Sequence, residues 1–327
     1  VDLTYAITDK FELGAGMRYS KDTKEFGNYI LPVTSELGPF WAFGVVTDGF
    51  VEGEHSWDAF TPRFIARYRA NDDWMFYASA TRGYKAGGFG SFAVEADDDD
   101  VGDGGLLSVA DATLNQFEPE TVWSYELGVK GDMFNRRIRL DVSAYRYNYK
   151  DLQLNYFDKG TRITNVGKVK SWGLEGTVQA IVNKNIDVFF AGSFNDNEIS
   201  GAESVEEGST GNRLPGSPKF TLSGLASYHV EVGNGEMNAS VDFRTQTKTY
   251  GGLGNIETYA NGGWTDVSAR LSYESFNNWK VTAYIENIFN AAYFDGTSES
   301  GGTFPAHGFG ISRPTTVGMK LSYRFGE

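Results

Sequence analysis

Apolar and polar residues alternate with a period of two over short stretches along most of this chain. Near its start, Leu13 and Ala15 alternate with Gly14 and Gly16. Near its end, in RPTTVGMKLSYRF at residues 313–325, Val317 and Met319 alternate with small or charged residues. Because successive side chains of an extended strand point to opposite faces, each stretch predicts a β-strand with one apolar and one polar face.

The alternating pattern recurs about thirteen times. Short polar turns join some of the predicted strands, and long irregular loops join the others in strict alternation. The long loops are predicted at about residues 21–56, 85–117, 196–213, 250–263 and 290–307. A transmembrane β-barrel keeps short turns on one side of the membrane and long loops on the other, whereas a soluble sandwich has no reason to separate them.

The polar face of the predicted strands carries many charges, among them Arg63, Arg67, Glu126 and Lys130. These charges cannot line a dry core, because an unpaired buried ion costs several kcal/mol. Aromatic residues near strand ends are typical of membrane-interface girdles. We therefore predict an all-β fold, an antiparallel transmembrane β-barrel whose charged face lines a water-filled or plugged lumen. A soluble all-β protein with amphipathic strands is the alternative.

Composition narrows the function classes. Glycine accounts for 40 of 327 residues, aromatic residues for 15%, and cysteine is absent. We expect the glycines in turns and the aromatic residues at strand ends. The absence of cysteine excludes thiolate metal sites, cysteine nucleophiles and disulfides. The net charge of −14 and the lack of a basic stripe argue against nucleic acid as a partner.

Five segments, taken in order, resemble the C-terminal barrel of the TonB-dependent outer-membrane receptors. They are YASATRGYKAGGFG at 77–90, FEPETVWSYELGVKG at 117–131, NVGKVKSWGLEGT at 165–177, NIFNAA at 287–292 and RPTTVGMKLSYRF at 313–325. Each motif is weak alone, but five in the right order are specific. The resemblance covers essentially the whole chain, so residues 1–327 are expected to be the C-terminal part of the receptor β-barrel.

The resemblance implies a barrel of about 22 strands with an N-terminal plug inside it. About thirteen strands would be present here as the last of that barrel, and the plug and the TonB-binding box would lie outside residues 1–327. The implied location is the outer membrane of a Gram-negative bacterium. The implied partners are the TonB complex acting through the plug and box, outer-membrane lipid and lipopolysaccharide, and the barrel-assembly machinery. That machinery reads a terminal aromatic residue, whereas here Gly326 and Glu327 follow Phe325.

The family function is active import of a scarce nutrient. Residues 77–90 resemble iron-chelate receptors, so a ferric siderophore is the favoured transported ligand, and no cofactor is expected. Carbohydrate, cobalamin and haem remain open as cargo. A passive porin or an autotransporter-type translocator is the alternative from another class.

Candidate ligand-binding residues lie where strands enter the long loops. Arg82, Tyr84 and Lys85 end one strand, and Tyr147 and Tyr149 continue the polar face of another. Further candidates are aromatic residues of the loops or their borders: Phe89, Tyr156, Tyr250, Trp264 and His307. Packing within girdles and hairpins is the alternative role for each.

The sequence signals for a metal site and for catalysis are weaker. The acidic run DDDDVGD at residues 97–103 offers the oxygen ligands that Ca²⁺ prefers, but its spacing is not that of an EF-hand, and no metal site is assigned. The three histidines, His55, His229 and His307, have no metal-ligand spacing, and the serines lack a base partner that the sequence nominates. We therefore expect a protein that is not an enzyme.

Overall fold

The computed structural model describes residues 1–30, 47, 49–95, 113–157, 161–201, 208–298 and 308–325. Within these ranges the strands are β1 (Asp2–Ala6), β2 (Phe11–Asn28), β3 (Val51–Arg69), β4 (Trp74–Lys85), β5 (Gly88–Glu95), β6 (Thr113–Phe117), β7 (Glu120–Met133), β8 (Ile138–Lys150), β9 (Gln153–Phe157), β10 (Thr161–Asn165), β11 (Lys168–Asn183), β12 (Ile186–Gly201), β13 (Phe220–Glu231), β14 (Gly235–Gln246), β15 (Thr249–Tyr250), β16 (Ala260–Asn261), β17 (Trp264–Ser275), β18 (Trp279–Glu286), β19 (Phe294–Ser298), β20 (Gly308–Ile311) and β21 (Thr316–Tyr323). One turn of 3₁₀ helix spans Glu257–Tyr259. No helix in the described ranges is long and apolar enough to span a membrane.

The described residues form one antiparallel sheet of thirteen strands, in the order β1-β2-β3-β4-β7-β8-β11-β12-β13-β14-β17-β18-β21. Each strand pairs with its neighbour along the chain, apart from the small hairpins in the connections. The predicted all-β fold and the thirteen strands are therefore confirmed. The total of about 22 strands stays a prediction.

Connections of two lengths lie at opposite ends of this sheet. Those at one end have two to four residues, such as 184–185 between β11 and β12. Those at the other end have 17 to 34 residues, such as 86–119 between β4 and β7. Because the sheet is a simple up-and-down meander, alternate connections must share an end. The predicted separation of short turns from long loops is confirmed, and the end with the long connections is called the loop end below.

The predicted loop boundaries were wrong in detail. Strands β2 and β3 pair as far as Asn28 and Val51, so the loop at 21–56 is shorter at both ends. Strand β12 likewise runs to Gly201, into the loop predicted at 196–213. The loops predicted at 85–117, 250–263 and 290–307 contain or adjoin the hairpins β5–β6, β15–β16 and β19–β20. These extensions lack a continuous apolar face, so the alternation that reveals the lower part of each strand is absent.

Side chains and left-handed backbone close the short turns. The side-chain oxygen of Asn71 accepts hydrogen bonds from the backbone N–H groups of Asp73 (3.0 Å) and Trp74 (2.9 Å). Between β7 and β8, three consecutive residues have positive φ, with Asn135 at 57° in the middle. Asparagine tolerates this conformation well and glycine best, which explains Gly233 (φ 59°) between β13 and β14.

The two faces of the sheet differ as predicted. The apolar face exposes large hydrophobic side chains, including Leu127 at 64% and Met319 at 76%. The opposite face, called the charged face below, carries ion pairs between neighbouring strands. These join Glu12 to Arg67, Lys130 to Asp141, and Asp242 to Arg270. An exposed apolar face of this size requires an apolar environment, because soluble proteins rarely expose such patches.

Many glycines lie within strands, opposite aromatic rings. Sequence reasoning placed the glycines in turns and the rings at strand ends, and that expectation was incomplete. A Cβ added to any of these glycines would come within 2.6 Å of the aromatic side chain opposite it; the pairs are Gly128 with Tyr77, Gly131 with Trp74, Gly173 with Tyr145, Gly224 with Phe243 and Gly318 with Tyr284. The rings cover glycine backbone that would otherwise lack packing.

An aromatic row crosses the apolar face near the loop end. The rings of Trp123 and Tyr125 stack with centroids 6.0 Å apart. Two strands further on, Trp172 packs on Phe194 at 5.0 Å, and Phe194 packs on Phe220 at 4.9 Å. We call these five residues the aromatic belt. Rings in this position are typical of a membrane interface, as the sequence predicted.

Candidate ligand-binding site

The long connections pack against one another at the loop end. A buried apolar cluster there joins residues from several of them: Leu152, Val166, Val169, Ile199 and Leu253. Tyr149, Leu154 and Leu214 pack around this cluster. The apolar core of the described residues therefore lies among the connections and the strand ends that carry them, and it gives the loop end a defined shape.

Gln153 ties two connections together, the one between β4 and β7 and the one between β8 and β11. Its side-chain nitrogen donates hydrogen bonds to the carbonyl oxygens of Ala86 (3.0 Å) and Glu118 (2.9 Å). Its backbone N–H donates to a carboxylate oxygen of Glu120 at 3.0 Å. The side chain of Gln153 is buried, so these bonds are partly shielded from water. Sequence reasoning missed this residue, since its partners lie up to 67 positions away.

The candidate Phe89 belongs to an aromatic cluster on the charged face of the β2–β3 hairpin. Its ring lies 6.1 Å from that of Phe26 and 6.0 Å from that of Trp57. The Lys24 ammonium lies 5.8 Å from the Trp57 ring and donates to the Gly87 carbonyl at 2.6 Å. Trp57 is only 4% exposed and was not selected from the sequence. The sequence did contain a signal for Trp57, because it occupies the same every-second positions of β3 as Ala59 and Arg63 and so shares the charged face with them.

A ladder of rings on the charged face of β8 consists of Tyr145 and the two candidates Tyr147 and Tyr149. The rings of Tyr145 and Tyr147 stack at 4.7 Å, and Tyr147 meets Tyr149 edge-on at 6.3 Å. Below the ladder, Ser143 donates a hydrogen bond to Glu175 at 3.3 Å. The sequence prediction that Tyr147 and Tyr149 share one face with Tyr145 is confirmed in geometry. Their ligand contact stays a prediction.

Arg82, Tyr84 and Lys85 do not form a single group. By alternation along β4, Lys85 shares the charged face with Tyr77, whereas Arg82 lies opposite Trp123 on the apolar face. Arg82 donates to the Phe60 carbonyl at 3.4 Å. The Tyr84 hydroxyl is buried. Lys85 is exposed and is the best placed of the three for a ligand at the mouth.

Trp264 and Tyr250 lie in two separate groups. The Trp264 ring stacks on Tyr293 at 4.4 Å, and the Arg244 guanidinium lies 5.9 Å from the Trp264 ring. Trp264 begins β17 on the charged face, because Val267 and its alternate neighbours occupy the apolar face. Tyr250 instead lies within the connection between β14 and β17.

Tyr250 belongs to an exposed hydrogen-bonded group. Its hydroxyl donates to Glu257 at 3.0 Å, and the Lys248 ammonium donates to both oxygens of the same carboxylate at 2.7 and 2.9 Å. These bonds, led by that from Lys248, lower the pKa of Glu257. The pKa of Lys248 is correspondingly raised, chiefly by the bond to Glu257.

Three candidates fall outside what the structure describes. His307 and the acidic run at 97–103 lie outside the described residues, and so does the side chain of Tyr156, whose backbone lies in β9. Within the described part of the chain, no group of three or more His, Asp or Glu side chains could hold a metal ion. The ligand role of every candidate stays a prediction.

Comparison with known proteins supplies the family. The family model described as TonB dependent receptor-like, beta-barrel matches residues 1–288. The pesticin receptor of Yersinia pestis is 22% identical over 296 residues, which are 89% of this chain and 38% of that protein. The metal-pseudopaline receptor CntO of Pseudomonas aeruginosa is 22% identical over 269 residues, covering 81% of this chain and 34% of the relative.

The fold agrees with this assignment. The structure of the ferric yersiniabactin uptake receptor FyuA from Yersinia pestis superposes with a TM-score of 0.77 at 19% identity. The match covers 99% of this chain and 45% of that one, so this chain spans less than half the length of the relatives it matches. Proteins of the matched family are transport receptors, not enzymes, of the Gram-negative outer membrane. The chain belongs to the TonB-dependent receptor β-barrel family.

Proposed function

We propose that this protein is an outer-membrane receptor that binds a ferric siderophore at the loop end and imports it with energy from TonB. The observation that carries the proposal is the set of rings and cations on the charged face at that end. The ladder Tyr145–Tyr147–Tyr149 and the stack of Trp264 on Tyr293 are its main parts. The names of the relatives support a metal chelate as cargo, since one is a metal-pseudopaline receptor and another a ferric yersiniabactin uptake receptor.

The chemistry of these groups suits such a ligand. Aromatic faces pack against flat chelating rings, and Tyr and Trp lose little conformational freedom on binding. Arg244 beside Trp264 and exposed Lys85 add positive charge, which favours an anionic chelate. In this arrangement the long connections and the ring-bearing strand ends together form the receptor mouth.

Transport would follow capture. In the family mechanism a plug domain closes the barrel, and ligand binding signals through it to a periplasmic box that TonB engages. We propose that the charged face of this sheet contacts such a plug, because its ion pairs and hydroxyl groups suit a polar partner.

Assembly and lipid contact involve the other face and the end of the last strand. We propose that outer-membrane lipid and lipopolysaccharide surround the apolar face, whose large side chains are exposed. We propose Phe325, which is 87% exposed, as the aromatic residue that the barrel-assembly machinery reads.

Growth of a deletion strain on defined iron sources tests the proposed transport function. We expect loss of growth on one ferric siderophore, restoration by the intact gene, and no restoration when TonB is also deleted. Import that persists without TonB would defeat the energy-coupling half of the proposal. Unchanged growth on every ferric siderophore, with a defect on carbohydrate, cobalamin or haem, would defeat the choice of cargo.

The family match favours the receptor over a passive porin or an autotransporter-type translocator. Another metal is the second candidate cargo, because the pseudopaline relative is named for metal in general. Uptake assays with the same chelator loaded with different metals separate the two, since an iron receptor should discriminate against the other complexes.

A further inference from the structure

An alanine-floored groove crosses the apolar face between β1 and β8. It encloses about 860 Å³. Small side chains form its floor, and larger apolar ones form its walls. The floor is Ala15, Ala66, Ala78, Ala80 and Ala144. Leu3, Phe64 and Tyr125 stand among the walls, and the groove ends at Arg146.

Arg146 is an outward-facing cation at the edge of this groove. On β8 the apolar face runs through Ile138, Leu140, Val142 and Ala144, and Arg146 is the next side chain on it. In register, Arg146 lies between Tyr125 of β7 and Trp172 of β11, both members of the aromatic belt. The guanidinium is therefore held at the level of the belt, where lipid headgroups meet the hydrocarbon.

Strand β11 changes from apolar to basic at the same level. Beyond Trp172 toward the loop end, the outward positions hold Lys170 and Lys168, which are both exposed, while the residues of the opposite face, Ser171 and Val169, are buried. Lys170 pairs in register with Asn148, the next outward residue after Arg146. We call Arg146, Lys150, Lys168 and Lys170 the basic strip.

The charges of the strip are only partly compensated by the protein, since two of its four cations have a carboxylate as a neighbour. Arg146 makes a weak hydrogen bond to Asn148 at 3.4 Å, and Lys150 lies 3.6 Å from Asp151. On β12, Glu198 stands opposite Lys170 in register. Asp196, the other outward carboxylate of that strand, is paired with Arg213 at 3.0 Å and Lys219 at 3.5 Å. Within the described ranges Arg146, Lys168 and Lys170 form no ion pair, although the chain as a whole has a net charge of −14.

Resting on the outer-membrane receptor function proposed above, we propose that β8 and β11 hold a phosphate-bearing lipid of the outer leaflet, with its phosphate on the basic strip and an acyl chain in the alanine-floored groove. The charge matches phosphate, because guanidinium and ammonium groups donate charge-assisted hydrogen bonds to its oxygens. The groove matches an acyl chain, because its lining is almost wholly apolar and it faces the membrane. The continuity of groove, belt and strip at Arg146 matches an amphiphile that needs all three at once.

The lipid that co-purifies with the receptor tests this proposal. Receptor extracted from outer membranes in mild detergent and washed by detergent exchange should retain phosphorus and acyl chains, measured by phosphate assay and mass spectrometry. The combined change Arg146→Glu and Lys170→Glu should lower retained phosphorus at least fivefold. The matched control, Arg136→Glu with Lys184→Glu, makes the same charge change at the short-turn end and should retain the wild-type amount.

Two further measurements distinguish a bound lipid from inorganic phosphate and from a protein partner. Ala80→Trp fills the groove and should lower retained acyl lipid severalfold. Inorganic phosphate added alone should not raise the thermal stability of any variant. Heat-modifiable migration on gels confirms that each variant is folded. Equal phosphorus in the charge-reversed receptor and its control, or none in the wild type, would overturn the proposal. So would an Ala80→Trp variant that keeps its lipid but changes oligomeric state, which would make the groove a protein interface.

Discussion

The ring of Trp264 lies almost parallel to the ring of Tyr293, with centroids 4.4 Å apart and 12° between the planes. This contact joins the first residue of β17 to the connection between β18 and β21, so it fixes two parts of the mouth relative to each other. Arg244 approaches the Trp264 ring at 5.9 Å. A cation, an indole and a phenol thus stand together on the charged face.

Trp264→Ala should weaken ligand affinity about tenfold, because truncating a packed aromatic contact of this kind commonly costs about 1–2 kcal/mol. Titration of the purified receptor with its ferric siderophore measures the effect. Trp279→Ala is the matched control, since Trp279 packs on Tyr273 at 5.3 Å at the short-turn end. Equal affinities of the two variants would remove Trp264 from the ligand site.

Gln153→Leu should loosen the connections that Gln153 ties together. The Ala86 carbonyl would lose its partner at a partly buried position, at a cost of about 1–3 kcal/mol unless water replaces the donor. The Glu118 carbonyl would lose one of two bonds and keep the one that it accepts from the Asn165 side chain at 2.9 Å. Hydrogen exchange should become faster around residues 86 and 118 and stay unchanged at the short turns. The control is Gln116→Leu, at an exposed position of β6, which should leave exchange around residues 86 and 118 unchanged. Faster exchange in this control variant as well would indicate a general loss of stability.

Gly128→Ala should destabilise the barrel by about 1–3 kcal/mol, because the new methyl group would lie 2.3 Å from the Tyr77 ring. Urea unfolding in lipid vesicles measures the change. Adding Tyr77→Leu should recover part of the loss, because the ring that clashes is removed. Gly262→Ala is the control, since no atom lies within 4 Å of its added Cβ. Equal effects at the two glycines would contradict the proposed role of the ring.

The Lys248–Glu257 pair should respond to acid. Since the pKa of Glu257 is lowered from 4.5 in the folded protein, its contribution to stability is fully present above pH 4.5 and is lost as the pH falls through the lowered value. Lys248→Met removes the main cause of the shift and should return the pKa of Glu257 toward 4.5. Carboxyl NMR titration reads this directly. An unchanged pKa in the variant would show that the hydrogen bond is absent in solution.

Sequence alternation predicted the sheet because the lower part of each strand places apolar side chains against the membrane at every second position. Alternation did not reveal the strand extensions above the membrane, because no membrane contacts those residues. Lys21 to Asn28 remain paired in β2, but their environment no longer demands an apolar face. The opposite faces of Arg82 and Lys85 could have been predicted from alternation alone, and grouping them ignored it.

The loop end was harder to predict because the residues in contact there are far apart in the sequence. Gln153 reaches Ala86 across 67 positions, and Asn165 receives a hydrogen bond from Glu118 across 47. Nothing periodic links such residues. Trp57 shows the same difficulty, since its burial depends on Phe89 and Gly87 of another connection.

The shared cluster of Leu152, Val166, Ile199 and Leu253 also bears on how receptors of this kind diversify. These residues come from or adjoin three consecutive long connections, so each connection supplies part of the packing surface of the others. Exchanging one of them alone with a homologue would leave mismatched apolar surfaces. Chimeras that transplant residues 151–169, 199–219 and 247–263 as one block should keep the cluster intact, and in evolution the three segments would be expected to be inherited together.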